Sequence, residues 1–272
     1  MGTKALCLVD DAVVTAEFAL QDNLLRVETP PSISPGSCGT CNGTGWEFIE
    51  SKGVRPCNCR KAGLRLKLIN GARIPERYKN CSLQNYEPAQ GNISQMRAIN
   101  FAHRLVHDYP AVERGLLFTG SVGVGKTHLA VGILRGLMEK GIPCMFWEYG
   151  PLLKTIQASY NKASQASEMD ILEPVFQTDV LLLDELGALK PSEWVLDMIR
   201  FIIGTRYSEN RLTIVTTNYA DAITGSGEDL LEDRIGARLR SRLFQMCKTV
   251  AIDGEDYRRR FDAGSFGSLE HS

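Results

Sequence analysis

The sequence predicts an α/β fold, a parallel five-stranded sheet flanked by helices and preceded by a small cysteine-rich module. Three observations predict it. From about Ile93 onward, strand-like apolar runs alternate with helix-like segments. A glycine-rich turn, Gly120-Ser121-Val122-Gly123-Val124-Gly125-Lys126-Thr127, stands between the apolar run Gly115-Leu-Leu-Phe-Thr119 and a helix-like stretch opening at His128. Four cysteines, Cys38, Cys41, Cys57 and Cys59, gather ahead of that region.

At 272 residues the chain has room for one large domain, or for a core of about 200 residues plus a small module. A hydrophobic content of 43% argues for a folded chain rather than a disordered one. The 31 basic and 32 acidic residues nearly cancel, so no global field draws nucleic acid or membrane, and any polyanion contact must come from local patches. No apolar stretch approaches the roughly 18 residues of a membrane span. The opening Met1-Gly-Thr-Lys-Ala-Leu-Cys-Leu-Val-Asp-Asp meets acid too early for a signal peptide. A cytoplasmic protein with no membrane partner is expected. In a reducing compartment, clustered cysteines imply a metal rather than disulfides.

In chain order, the first segment has too mixed a pattern to assign, and the Pro- and Gly-containing stretch from Pro30 to Gly36 sets it off. Cys38-Gly-Thr-Cys41 and Cys57-Asn-Cys59 follow. A turn of small residues can point two thiolates at one tetrahedral ion, and a second pair from the far side of a hairpin can close the site. The first pair, with Asn42-Gly43-Thr44-Gly45 behind it, resembles the zinc repeats of J-domain chaperones. Zn²⁺ held by four sulfurs would be structural, with no open position for chemistry. The competing reading is buried or redox cysteines. The second pair is one residue tighter than the usual knuckle. Cys7, Cys81, Cys144 and Cys247 stand alone, and Cys144 and Cys247 read as core packing. From Lys52 to Lys79 the chain carries nine Lys and Arg against one acid, Glu76, which reads either as a solvated basic linker or as a surface for nucleic acid or an acidic partner.

Strands are expected near Leu116 to Thr119, Cys144 to Tyr149, Val180 to Asp184, Thr213 to Thr217 and Thr249 to Ile252. Glycines at 120, 123 and 125 let the backbone curl so that N–H groups, reinforced by the positive end of the next helix, cradle phosphates. Lys126 would neutralise those phosphates and Thr127 would ligate Mg²⁺. The run Val180-Leu-Leu-Leu-Asp184-Glu185 delivers two acids beside them: Asp184 for the Mg²⁺ shell, and Glu185 to polarise the water that attacks the γ phosphate of ATP. Asn218, closing Thr213-Ile-Val-Thr-Thr217-Asn218, is either an uncharged donor to water and γ phosphate or an ordinary strand terminator. His103 and His107 share a helix face with no further ligand and read as surface residues.

Together with Arg234-Ile-Gly-Ala-Arg238-Leu-Arg240-Ser-Arg242-Leu, these motifs resemble the AAA+ ATPases of the DnaC-type bacterial helicase-loader clade. Ile74-Pro-Glu-Arg-Tyr78 and Gly254-Glu-Asp-Tyr257-Arg258 also look like that clade, and the likeness covers about residues 72 to 262. The resemblance implies a P-loop AAA+ core without a helical lid domain, which assembles side by side and sandwiches ATP or ADP between neighbours. Residues 120 to 128, including His128, would contact nucleotide. Arg238 matches the finger that reaches a neighbour's γ phosphate, with Arg242 in reserve. Arg258 matches a second sensing arginine or is a surface member of Arg258-Arg-Arg260. The segment Lys154-Thr-Ile-Gln-Ala-Ser-Tyr160-Asn161-Lys162 reads as a contact for single-stranded DNA or as a plain amphipathic helix and loop.

The cysteine module resembles the zinc-containing helicase-binding domain of DnaI-type loaders, with its own spacing. The expected organisation is therefore a helicase-interaction region and basic linker over residues 1 to 70, an ATPase domain over 71 to 264, and a tail over 265 to 272. The partners implied are a hexameric replicative helicase, single-stranded DNA and further copies of the chain. Two other functions compete. An IstB-type transposition helper shares the ATPase motifs, although that family usually has a different N-terminal region. A nucleotide-gated adaptor would switch an interface by binding ATP without turnover, against which Glu185 argues.

Overall fold

The computed structural model describes residues 38–50, 53–161, 165–221 and 229–259. Cys7, the Pro30 to Gly36 stretch, Lys52, Lys162, Arg260 and the expected tail lie outside these residues.

A two-stranded antiparallel hairpin, β1 (Trp46–Ile49) and β2 (Gly53–Pro56), forms the small module. It leads into helix α1 (Asn58–Gly71). The middle of the expected basic run is thus a helix, because Arg60 to Gly71 is dominated by straight-chain and Leu residues and contains no proline. Leu68 and Ile69 of α1 pack on the core, and Arg65 Nε donates to Glu139 O at 3.1 Å. Other cations of the run are similarly engaged: Arg60 lies 4.5 Å from the Trp46 ring centroid, Arg73 lies 3.8 Å from that of Trp147, and Arg55 pairs with Glu47.

The core contains β3 (Gly115–Thr119), β4 (Cys144–Glu148), β5 (Val180–Asp184), β6 (Leu212–Thr216) and β7 (Cys247–Ala251). All pair in parallel, in the order β4-β5-β6-β3-β7. The five expected strands are present with small shifts at their ends. Tyr149 opens helix α4 instead of closing β4, and β7 begins at Cys247, two residues ahead of the expected start.

Alternation along each strand divides the core in two. Leu116, Phe118, Leu182, Ile214 and Val250 face α2 (Ile93–Asp108) and α3 (Lys126–Glu139). Leu117, Leu181, Leu183, Val215 and Cys247 face α4 (Tyr149–Ser159), α5 (Glu168–Gln177), α6 (Glu193–Ser208), α7 (Leu231–Ile235) and α8 (Ala237–Met246). Local signals start three of these helices: the side chains of Asn92, Ser167 and Ser192 accept from Gln95, Asp170 and Val195 backbone N–H groups. Arg206, fully buried, donates to Val175 O, Phe176 O and Thr178 O at the end of α5 and to Leu212 O at the start of β6. One side chain thereby satisfies carbonyls that α5 cannot satisfy itself. Cys144 and Cys247 are buried in the core, and His103 and His107 are exposed, as expected. No helix of the described residues is long and apolar enough to cross a membrane, and none of them forms a helical domain after β7.

Candidate functional site

β3 ends at the glycine-rich loop and β5 at the two acids, with β6 between them, so the carboxyl ends of three neighbouring strands meet at one cleft. The cleft has a volume of about 370 Å³. Gly123, Gly125, Lys126, Thr127, Glu185, Asn218 and Arg258 all line it. Gly125, at φ 97°, starts α3 where a Cβ would come within 2.6 Å of Tyr86. A Cβ on Gly123 would stand 1.7 Å from the Asp256 carboxylate. The loop is therefore built for close backbone approach.

Lys126 Nζ donates to Gly120 O at 2.8 Å and to Ser121 O at 2.6 Å. Burial pulls the ammonium down to about 8, against the opposing pull of Asp184 and Glu185. Thr127 Oγ1 donates to Asp184 Oδ1 at 2.9 Å, so the hydroxyl and the carboxylate expected at Mg²⁺ are in contact. Asp184 is 2% exposed, and burial pushes its carboxyl up to about 6 even though two hydroxyls donate to it. The second is Thr216 Oγ1 at 2.6 Å, and this same oxygen accepts from the Glu185 backbone N–H at 3.0 Å. Glu185 stands at φ 58°, a left-handed conformation rare for a side-chain-bearing residue and held here by Thr216.

The structure also discriminates among the expected contacts. The Ser121 hydroxyl turns to Gly254 O, Val122 is half exposed and Val124 is buried. His128 lines the cleft, yet its Nε2 lies 3.0 Å from Ser82 O and 2.9 Å from Asn85 Oδ1. Its ring thus braces the 82–85 loop. Arg258 does reach the cleft. Arg238, in the first turn of α8, is exposed and away from it. Of its neighbours, Arg234 and Arg240 are bound internally, and Arg242 lies 5.9 Å from the Tyr207 ring centroid. Lys154 and Tyr160 are exposed on α4 and at its end, with Tyr160 edge-on to Trp194.

Two contributors escaped the sequence reading. Thr216 sits inside an apolar strand with no motif of its own. Tyr86 lies in an irregular loop, where its hydroxyl donates to Val124 O at 3.2 Å and its ring packs edge-on against His128. No periodicity marks that loop.

At the hairpin the four cysteine Sγ atoms lie within 4.8 Å of one another. Cys38 and Cys57 are 3.8 Å apart and Cys41 and Cys59 3.4 Å, close to the sulfur spacing of about 3.8 Å for a tetrahedron with Zn–S near 2.3 Å. Backbone N–H groups of Cys41 and Thr40 draw the Cys38 thiol down to about 6, whereas the neighbouring Cys41 thiol pushes Cys59 up to about 12. Four sulfurs at this spacing fit a tetrahedral metal ion, which would hold all four as thiolates. The tight second pair has a simple cause: Cys57 is the residue before α1 and Cys59 lies in its first turn, so a helix start takes the place of a second knuckle.

The loop, the buried aspartate, the adjacent glutamate and the amide at the end of the intervening strand define a P-loop nucleotide-binding protein with an AAA+ core. The chain belongs to the IstB-like ATP binding protein family, whose profile matches residues 67–264. It is 28% identical over 183 residues to the replicative helicase loader DnaC of Escherichia coli (strain K12), covering 64% of this chain and 73% of that one. A crystal structure of the DnaC helicase loader aligns with TM-score 0.57 and 33% identity, over 65% of this chain and 99% of the other. One of DnaI gives TM-score 0.54 and 26% identity, over 68% and 94%. The likeness to DnaC-type loaders read from the motifs is borne out.

Proposed function

We propose that this protein is a cytoplasmic, ATP-hydrolysing helicase loader that couples its nucleotide state to the capture of single-stranded DNA and the deposition of a replicative helicase. The observation that carries the ATPase half is the convergence of Lys126, Thr127, Glu185, Asn218 and Arg258 on one cleft at the carboxyl ends of the parallel strands, with buried Asp184 bonded to Thr127 behind its wall. Backbone N–H groups of residues 123 to 127 bind the phosphates, and Lys126 exchanges two backbone carbonyls for them. Thr127 and Asp184 offer adjacent hard oxygens that would hold Mg²⁺, which would supply positive charge to offset that of the phosphates. Glu185 orients the attacking water and takes up its proton, Asn218 donates without adding charge, and Arg258 senses the γ phosphate. Arg238 serves the site of a neighbouring copy.

The likeness to DnaC supports the loader half. The four-cysteine module, which fits Zn²⁺, serves as the helicase grip and favours a loader over the transposition helper that shares these ATPase motifs. Lys126→Ala is expected to abolish ATP binding, while Glu185→Gln keeps binding and suppresses hydrolysis. Equal ATP affinity in wild type and Lys126→Ala refutes the phosphate site. Full turnover in Glu185→Gln refutes its role as base.

A further inference from the structure

Helix α7 carries a guanidinium that grips the catalytic turn of its own subunit. Arg234 Nε donates to Gly187 O and Nη2 to Leu189 O, both at 3.0 Å, in the turn that follows Asp184 and Glu185. The same guanidinium lies 4.9 Å from the ring centroid of Tyr219, the residue after Asn218. The packing is tight: a Cβ on Gly187 would fall 3.1 Å from Arg234 and 3.2 Å from Tyr219. One side chain therefore touches both loops that face the γ phosphate. Six residues on, Arg240 of α8 pairs bidentately with Asp221, which also accepts from Thr249 Oγ1 at 3.1 Å. That second clamp ties α8 to the end of the Asn218 loop. Arg238, exposed on the first turn of α8, lies between the two clamps.

We infer that Arg234 and the Arg240–Asp221 pair are positioning residues which set the placement of Arg238 by the state of the acid turn and the Asn218 loop of the same subunit. The inference rests on the reading of Arg238 as the residue offered to a neighbour. The physical basis is that Arg238 projects from the first turn of α8, directly after α7, so the grip of Arg234 on the acid turn fixes α7 and the forked Arg240–Asp221 pair fixes α8 on either side of the point from which Arg238 extends. Movement of Glu185 or Asn218 on γ-phosphate cleavage would pass through Gly187, Leu189 and Tyr219 to the arginine that the next subunit uses. Hydrolysis in one site would thus reset its neighbour's.

The test separates this role from any contribution to a subunit's own site. A Lys126→Ala protein has a dead site and contributes only its Arg238, so it should restore DNA-stimulated ATPase activity when mixed with Arg238→Ala protein. The double variant Lys126→Ala, Arg234→Ala is expected to lose about tenfold or more of that rescue. The single variant Arg234→Ala is expected to keep its affinity for a fluorescent ATP analogue and its KM, while kcat falls. Should Arg234→Ala not fold, the exchange Asp221→Arg with Arg240→Asp, introduced into Lys126→Ala protein, is expected to recover rescue that either substitution alone loses. Equal rescue with and without Arg234, or with the single Asp221 and Arg240 substitutions, overturns the positioning role. No rescue by Lys126→Ala itself instead overturns the reading of Arg238.

Discussion

A single hydroxyl organises the acids. Thr216 donates to Asp184 and accepts from the Glu185 backbone, which keeps Glu185 in its left-handed conformation. Thr216→Val keeps the shape and removes both bonds. A lost bond to a charged group is worth roughly 1.5 to 3 kcal/mol, so kcat is expected to fall about 10- to 100-fold with little change in ATP affinity. An unchanged kcat refutes the role. Asp184 makes a second prediction. Its carboxyl rises from 3.8 to about 6, so the folded protein holds this proton more tightly than the unfolded chain, and stability drops as pH climbs through that window. Asp184→Asn retains an oxygen to accept from Thr127 and Thr216 without the buried charge. Without nucleotide it is expected to exceed wild type by about 1 to 3 kcal/mol above pH 6 and to lose that advantage near pH 4, while failing to hydrolyse ATP. A pH-independent difference in thermal melts contradicts this account.

At the scale of elements, helix α1 joins the cysteine hairpin to the α/β core. Its start carries Cys57 and Cys59 of the cysteine cluster, and its end packs Leu68 and Ile69 on the core. Small modules such as the hairpin bury too little apolar surface to hold themselves, and the exposed Trp46, Phe48 and Val54 illustrate this. If Zn²⁺ holds the hairpin, as proposed, Cys38→Ser or Cys59→Ser is expected to release it and speed amide exchange over residues 38 to 60, leaving strands β3 to β7 protected. Elemental analysis of freshly purified wild type finding no zinc refutes the module as a metal site.

For the molecule as a whole, Arg77 and Arg258 are the arginines among the described residues that line the cleft, whereas Arg238 is exposed and away from it. The proposed function has Arg238 complete the site of a second copy. Arg238→Ala is expected to bind ATP nearly normally yet lose stimulation by single-stranded DNA, and mixing with Lys126→Ala should restore part of it. A protein that stays monomeric when saturated with ATP and DNA, with no restoration on mixing, favours the nucleotide-gated adaptor.

Much of this was legible in the chain itself. Gly120 to Thr127, the Leu-Leu-Leu-Asp184-Glu185 run and the cysteine spacing each encode local chemistry, because glycine curls, apolar strand ends and thiolate turns depend on neighbours within a few residues. The parallel sheet followed from alternating strand and helix patterns. What lay beyond the sequence depends on distant segments meeting. Thr216 reaches Asp184 only because β6 lies beside β5, Tyr86 reaches Val124 across 38 residues, and His128 is claimed by Ser82 and Asn85. The basic run looked uniform in sequence, yet tertiary contacts sorted it into stacked, paired and solvated members, because a cation's role is set by the ring, carboxylate or water that folding brings to it.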